Sequence, residues 1–192
     1  VPTGTTYTWT VVTGAVTGAS DQATPQTDIS QTLANATANA INVVYTVTAS
    51  VGTAPNVCTD TFTITVTVNP EPLIADVTQG ICTGNTFTVT PVNTAPDVVP
   101  TGTTYTWTVV SPVGVTGASN EATPQTSISQ TLTNSTSTSL DVVYTVTASV
   151  GTAPTICTDT FTITVTVNPE PLIADVIQII CSTATFTVTP TN

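Results

Sequence analysis

The chain has 192 residues, of which 11 are acidic and none is Lys, Arg or His, so its formal net charge is −11. Without a single cation it cannot neutralise phosphates or hold an anionic membrane surface, which excludes nucleic-acid binding and electrostatic membrane attachment. With 40% hydrophobic residues, 51 threonines and a mean hydropathy of +0.32, it has the core-forming content that acidic disordered segments lack, and no apolar run approaches the roughly 18–20 residues of a spanning helix. Neither an initiator Met nor a basic–apolar leader is present, so the expectation is a mature or excised polypeptide whose targeting information lies elsewhere.

In chain order, the first element is the strand YTWTV inside VPTGTTYTWTVV (1–12), which returns at 99–110. In the second copy the alternation puts Tyr105, Trp107 and Val109 on one face. ATPQT (23–27) follows, then VVYTVTAS (43–50), which continues the two-residue period around Tyr45 and, in its second copy, around Val143 and Tyr144. TFTITVTV (61–68) sets Phe62, Ile64, Val66 and Val68 against Thr61, Thr63, Thr65 and Thr67. Threonine suits an exposed strand face, because its branched side chain favours extended backbone and adds little apolar surface. TFTVTP (86–91) is a further strand, while TGAS, VGTAP and NPEP punctuate the strands as turns or linkers. No segment has a helical period. The predicted fold is all-β, built from tandem immunoglobulin-like antiparallel sandwiches.

The chain copies itself. TFTITVTVNPEPLIADV at 61–77 recurs unchanged at 160–176, an offset of 99 residues, which is the size of one β-sandwich domain. Proline removes ladder donors and stiffens short connections, so the domain boundary is placed at NPEP (69–72 and 168–171). Residues 71–170 then form a complete unit from LIADV, FTVTPV, YTWTVV, SISQTL, VVYTVTAS and TFTITVTV. Residues 1–70 lack the first two strands of such a unit, and 171–192 hold the first two strands of another. A sandwich without two strands exposes core and unpaired backbone, which predicts head-to-tail contact with neighbouring copies or repeats. The contact arises either within a longer array or by donation of 172–192 into the truncated unit of the next molecule.

Several residues are candidates for chemistry. Glu71, Asp76, Asp97, Glu170 and Asp175 gather near the junctions, where a calcium ion would screen their repulsion, although no DxDxDG loop is present. Asn35-Ala-Thr37 and Asn134-Ser-Thr136 are N-glycosylation sequons, and Asp60-Thr61-Phe62 and Asp159-Thr160-Phe161 are candidate O-glycosylation sites at Thr61 and Thr160. Trp9, Trp107, Tyr45 and Tyr144 are expected in the core. The four cysteines, Cys58, Cys82, Cys157 and Cys181, repeat with the unit and read as disulfides of an oxidising compartment. Two connectivities stand side by side. In one, Cys82 pairs with Cys157 inside the complete unit, leaving Cys58 and Cys181 to adjacent repeats; in the other, Cys58 and Cys82 face one another about Pro70. With His, Lys and Arg absent and no paired carboxylates on one strand face, no catalytic constellation exists.

Together VVPTGTTYTWTVV, ATPQTSISQTLTN, VVYTVTAS, CTDTFTITVTVNP and GICTGNTFTVTP resemble the PKD-like repeats of giant Bacteroidetes surface proteins, including gliding-motility adhesins exported by the type IX route. The resemblance implies an immunoglobulin-like sandwich serving as spacer or adhesive stalk. The chain departs from that family's WDFGDG-like turn, since Trp107 leads into TVVSPVG and Trp9 into TVVTGA, so no role of that turn carries over. The expected function is mechanical: a non-catalytic, extracellular, acidic filament or cell-surface stalk, joined head-to-tail and lacking every trypsin-type cleavage site. It requires no cofactor, with Ca2+ as the one candidate ion. The alternatives are a carbohydrate-binding accessory module, whose partners would be surface glycans, and a strand-donating, self-assembling filament subunit.

Overall fold

A computed structural model describes residues 1–190, and within them every regular element is a β-strand. The alternating segments form ladders in two separate units. The first unit holds β1 (Thr6–Val12), β2 (Gln22–Gln26), β3 (Ile41–Thr53) and β4 (Asn56–Val68), hydrogen-bonded antiparallel in the order β2-β1-β3-β4. The second holds β5 (Val77–Cys82), β6 (Thr86–Val89), β7 (Thr104–Val110), β8 (Val115–Thr116), β9 (Glu121–Gln125), β10 (Ile128–Thr131), β11 (Thr133–Asn134), β12 (Leu140–Val150) and β13 (Cys157–Asn168). Its main sheet has the order β5-β13-β12-β7-β9, and the short pairs β10-β6 and β11-β8 supply the facing strands.

Period-two patterning decides which face is buried. In β13, Phe161, Ile163, Val165 and Val167 are buried while the threonines between them are not. In β12 the inward set is Val142, Tyr144, Val146 and Ala148. With Phe87, Tyr105, Trp107, Ile128 and Leu132 these close one continuous core. Burying such side chains contributes on the order of 1.5–3 kcal/mol each. This core does the work that ion pairs cannot do here.

Two features depart from the sequence reading. LIADV is not a strand: only Leu73 bridges, to Val98, and the ladder begins at Val77. The reason is local, because the N–H groups of Ile74 and Ala75 donate to the carboxylates of Asp159 (3.0 Å) and Asp97 (3.0 Å) instead of to a strand. In addition, β5 runs parallel to β13, from Ile163 opposite Val77 to Asn168 opposite Cys82, so the sheet is mixed. The sandwich corners depend on glycine. At Gly117, with φ +93°, an added Cβ would lie 2.1 Å from the Thr131 carbonyl oxygen, and Gly18 repeats this against Thr32 at 2.0 Å.

Candidate functional site

The carboxylates named from the sequence do not converge. Among the described residues no three His, Cys, Asp or Glu side chains are placed to hold a metal ion. Asp97 receives the Ala75 N–H, and Asp76 receives the Thr162 N–H at 2.7 Å. That amide, together with the Thr162 hydroxyl, holds the Asp76 carboxyl below its ordinary range. Glu71, Glu170 and Asp175 stand exposed. Asp76 and Asp97 therefore act as backbone caps on the way into β5. Sequence reasoning missed Asp159 in that role. Its signal was its place two residues before Phe161 at the start of an inward-facing run.

The expected Cys82–Cys157 bond is not formed. Cys82 lies beside Asn168 at one pole of the unit, whereas Cys157 begins β13 at the opposite pole, opposite Val150. Those poles are about 36 Å apart at the rise of an extended strand. Cys58, opposite Val51 in the first unit, is likewise unpaired, so the second connectivity is not formed either. All four cysteines are free.

The sequons serve as staples. Asn134 is 5% exposed, and its Nδ2 donates to the carbonyls of Thr138 (2.7 Å) and Val167 (2.8 Å), while its Oδ1 accepts from the Thr136 amide and hydroxyl. Asn35 repeats the arrangement with Asn39, Val68 and Thr37. The nitrogen a glycan would take is already engaged, which argues against modification at both positions. Thr61 and Thr160 are exposed strand residues.

The aromatic residues are in the core as the alternation requires. Trp9 and Trp107 are 6% exposed, with their indole N–H groups on the Ser20 and Ser119 carbonyls at 3.0 Å. Tyr45 and Tyr144 are buried, and burial raises both phenols. Burial, and then the charge of Asp97, raises Tyr105.

The two units differ at one face, and that face is the candidate site. In the second unit Phe161 is 3% exposed; its copy Phe62 is 41% exposed. Ile163 and Val165 are fully buried, whereas Ile64 and Val66 are only partly so. The segment Ile128–Thr131 is a strand paired with β6, but its copy at 29–32 is not a strand, for want of a partner. Two apolar hollows mark the open face. One, about 270 Å³, is lined by Ile29, Leu33, Tyr45, Ile64 and Val66; the other, about 370 Å³, by Tyr7, Ala49, Val51, Asp60 and Phe62. The second hollow exposes two aromatic rings, Tyr7 and Phe62, packed edge to face at 6.5 Å. Their copies Tyr105 and Phe161 hold the same geometry at 6.4 Å in one core cluster with the buried Ile74. The exposed rings are thus uncovered core, not a flat sugar-stacking platform.

Residues 172–190 carry the copy of 73–91 and form no strand, with every residue exposed; the expected assignment of 171–192 extends to residues 191–192, which lie outside the described residues. The segment already bends as its counterpart does. The Ala184 N–H donates to the Cys181 carbonyl at 3.1 Å, as Asn85 does to Cys82 at 3.1 Å. Thr183 adopts φ +69° where Gly84 has +80°.

A family model described as PKD-like domain matches residues 1–72 and 79–171. No curated protein and no solved structure matches the chain significantly.

Proposed function

We propose, since the chain belongs to the PKD-like domain family, that it is a structural, non-catalytic repeat of an extracellular filament or cell-surface adhesin stalk. Domains of this kind occur typically in extracellular and surface proteins, which supports that location. The observation that carries the reading is the end-to-end joint. Asn69 and Pro70, at the end of the first unit, line one cleft of about 410 Å³ together with Pro100, Thr101, Val150 and Thr155 at the near pole of the second. Pro70 and Pro72 are buried on either side of Glu71. Proline-rich connections are stiff, so such joints place units in line and make length the product of repetition. The stalk reading extends to adhesins of the Bacteroidetes gliding-motility type, where reach from the cell surface is the useful property.

The test is surface labelling. Antibodies raised against the chain should decorate projections on intact source cells, and the signal should survive trypsin, which finds no Lys or Arg to cut. Antigen confined to the cell interior would overturn the reading.

A further inference from the structure

We infer that residues 172–190 of one copy complete the open face of residues 1–70 of a second copy, so that the chain polymerises head-to-tail by donating two strands. The inference rests on the stalk reading and names the partner of its open end. The second unit shows what covers this face. There β5 lies along β13, and β6 lies along β10. On this segment Ile74, just before β5, is buried at 5% exposure and Phe87 of β6 at 0%, the latter ring 5.0 Å from Tyr144. Shifted by the repeat, the corresponding donor side chains are Ile173 and Phe186, which are 60% and 64% exposed. Their corresponding receptors are the two hollows: Phe186 matches the one under Tyr45, and Ile173 the one beside Asp60 and Phe62.

The polar groups match as well. Asp159 receives the Ile74 N–H at 3.0 Å; its copy Asp60, with no such donor, turns to the neighbouring Thr61 N–H at 2.9 Å. The Thr83 N–H donates to the Asn168 carbonyl, and Gly84 and Asn85 exchange bonds with Leu132. These are backbone bonds, so Ser182, Thr183 and Ala184 can make them to Asn69 and Leu33. Ser182 also retains the hydroxyl by which Thr83 holds the Asn134 backbone. Where Gly80 becomes Ile179, the nearest atom to an added Cβ is 3.9 Å away, so the backbone there has room for a Cβ.

Geometry selects a second copy over the same chain. The donor leaves the far pole of the second unit through residues 169–171. Three residues span at most about 11 Å, while the second unit alone is about 36 Å long between its poles. Joined to a second copy, residues 169–171 occupy the place that 70–72 hold between the two units of one chain. The intermolecular joint then repeats the intramolecular one.

Two measurements on the 192-residue chain test this. Wild-type protein should form concentration-dependent linear oligomers in analytical ultracentrifugation and rods in negative-stain images. Phe186→Asp, at a position exposed in the single chain, should leave the circular dichroism unchanged and weaken association at least about a hundredfold. A strictly monomeric wild type, or an unaffected variant, overturns the proposal. The register is read by Asn69→Cys in a chain whose Cys58, Cys82 and Cys157 are serine. Donation pairs position 69 with Cys181, as Asn168 pairs with Cys82. Diamide should therefore give disulfide ladders whose peptide map joins those two positions between chains. An intrachain link, or links only between two Cys181 residues, overturns it. Loss of donation with surface labelling intact would sink this joint and leave the stalk reading standing.

Discussion

At the scale of single residues, the repeat provides its own controls, because the same amino acid occupies two environments. Phe161 is 3% exposed in a closed core and Phe62 is 41% exposed. Removing a buried phenylalanine costs about 3–5 kcal/mol, so Phe161→Ala should lower the unfolding free energy of the second unit by that amount, while Phe62→Ala in dilute, unassociated chain should cost the first about 1 kcal/mol. Each unit holds one tryptophan, Trp9 or Trp107. Guanidinium titrations followed by fluorescence in the Trp9→Phe and Trp107→Phe backgrounds report the two separately. Asn134 makes a second case. Asn134→Ala strands the buried Val167 carbonyl and frees the Thr138 carbonyl, and should destabilise the second unit by about 1–3 kcal/mol, and intact mass from a glycosylating host should show no sugar on Asn35 or Asn134.

At the scale of elements, β5 is held at its entry by carboxylates before any ladder forms. Asp76 binds the Thr162 amide more strongly when ionised, which lowers its pKa in the folded chain. Its contribution is therefore present in full above the unfolded value near 3.9 and is lost as pH falls through the lower folded value. Hydrogen exchange of the Thr162 amide should rise across that acid window. Asp76→Ala should already show fast exchange at neutral pH and no such step. The corner at Gly117 is strict for a different reason. Gly117→Ala meets both a left-handed backbone and the Thr131 carbonyl, and should cost about 1–2 kcal/mol from the conformation alone, measured by thermal melting.

At the scale of the molecule, charge works against assembly. The chain carries −11 and no Lys, Arg or His, so copies repel and have no side-chain ion pairs to form. Raising ionic strength from about 0.01 M to 0.15 M shortens the screening length from about 30 Å to 8 Å. Head-to-tail association should therefore strengthen with salt, as followed by light scattering. Joints that depended on ion pairs would weaken over the same range.

Alternation, the 99-residue repeat and the buried positions of Trp9, Trp107, Tyr45 and Tyr144 were determined by the sequence alone, because side-chain period is a property of neighbouring residues in an extended chain. What sits across from a strand is not local, and only the tertiary structure decided it. It made β5 parallel to β13, assigned Asp76, Asp97 and Asp159 to backbone amides, set Cys82 and Cys157 at opposite poles, and turned two sequons into staples. It also showed that identical strands close a core around Phe161 and leave one open at Phe62, because burial depends on the partner strand and not on the buried residue itself.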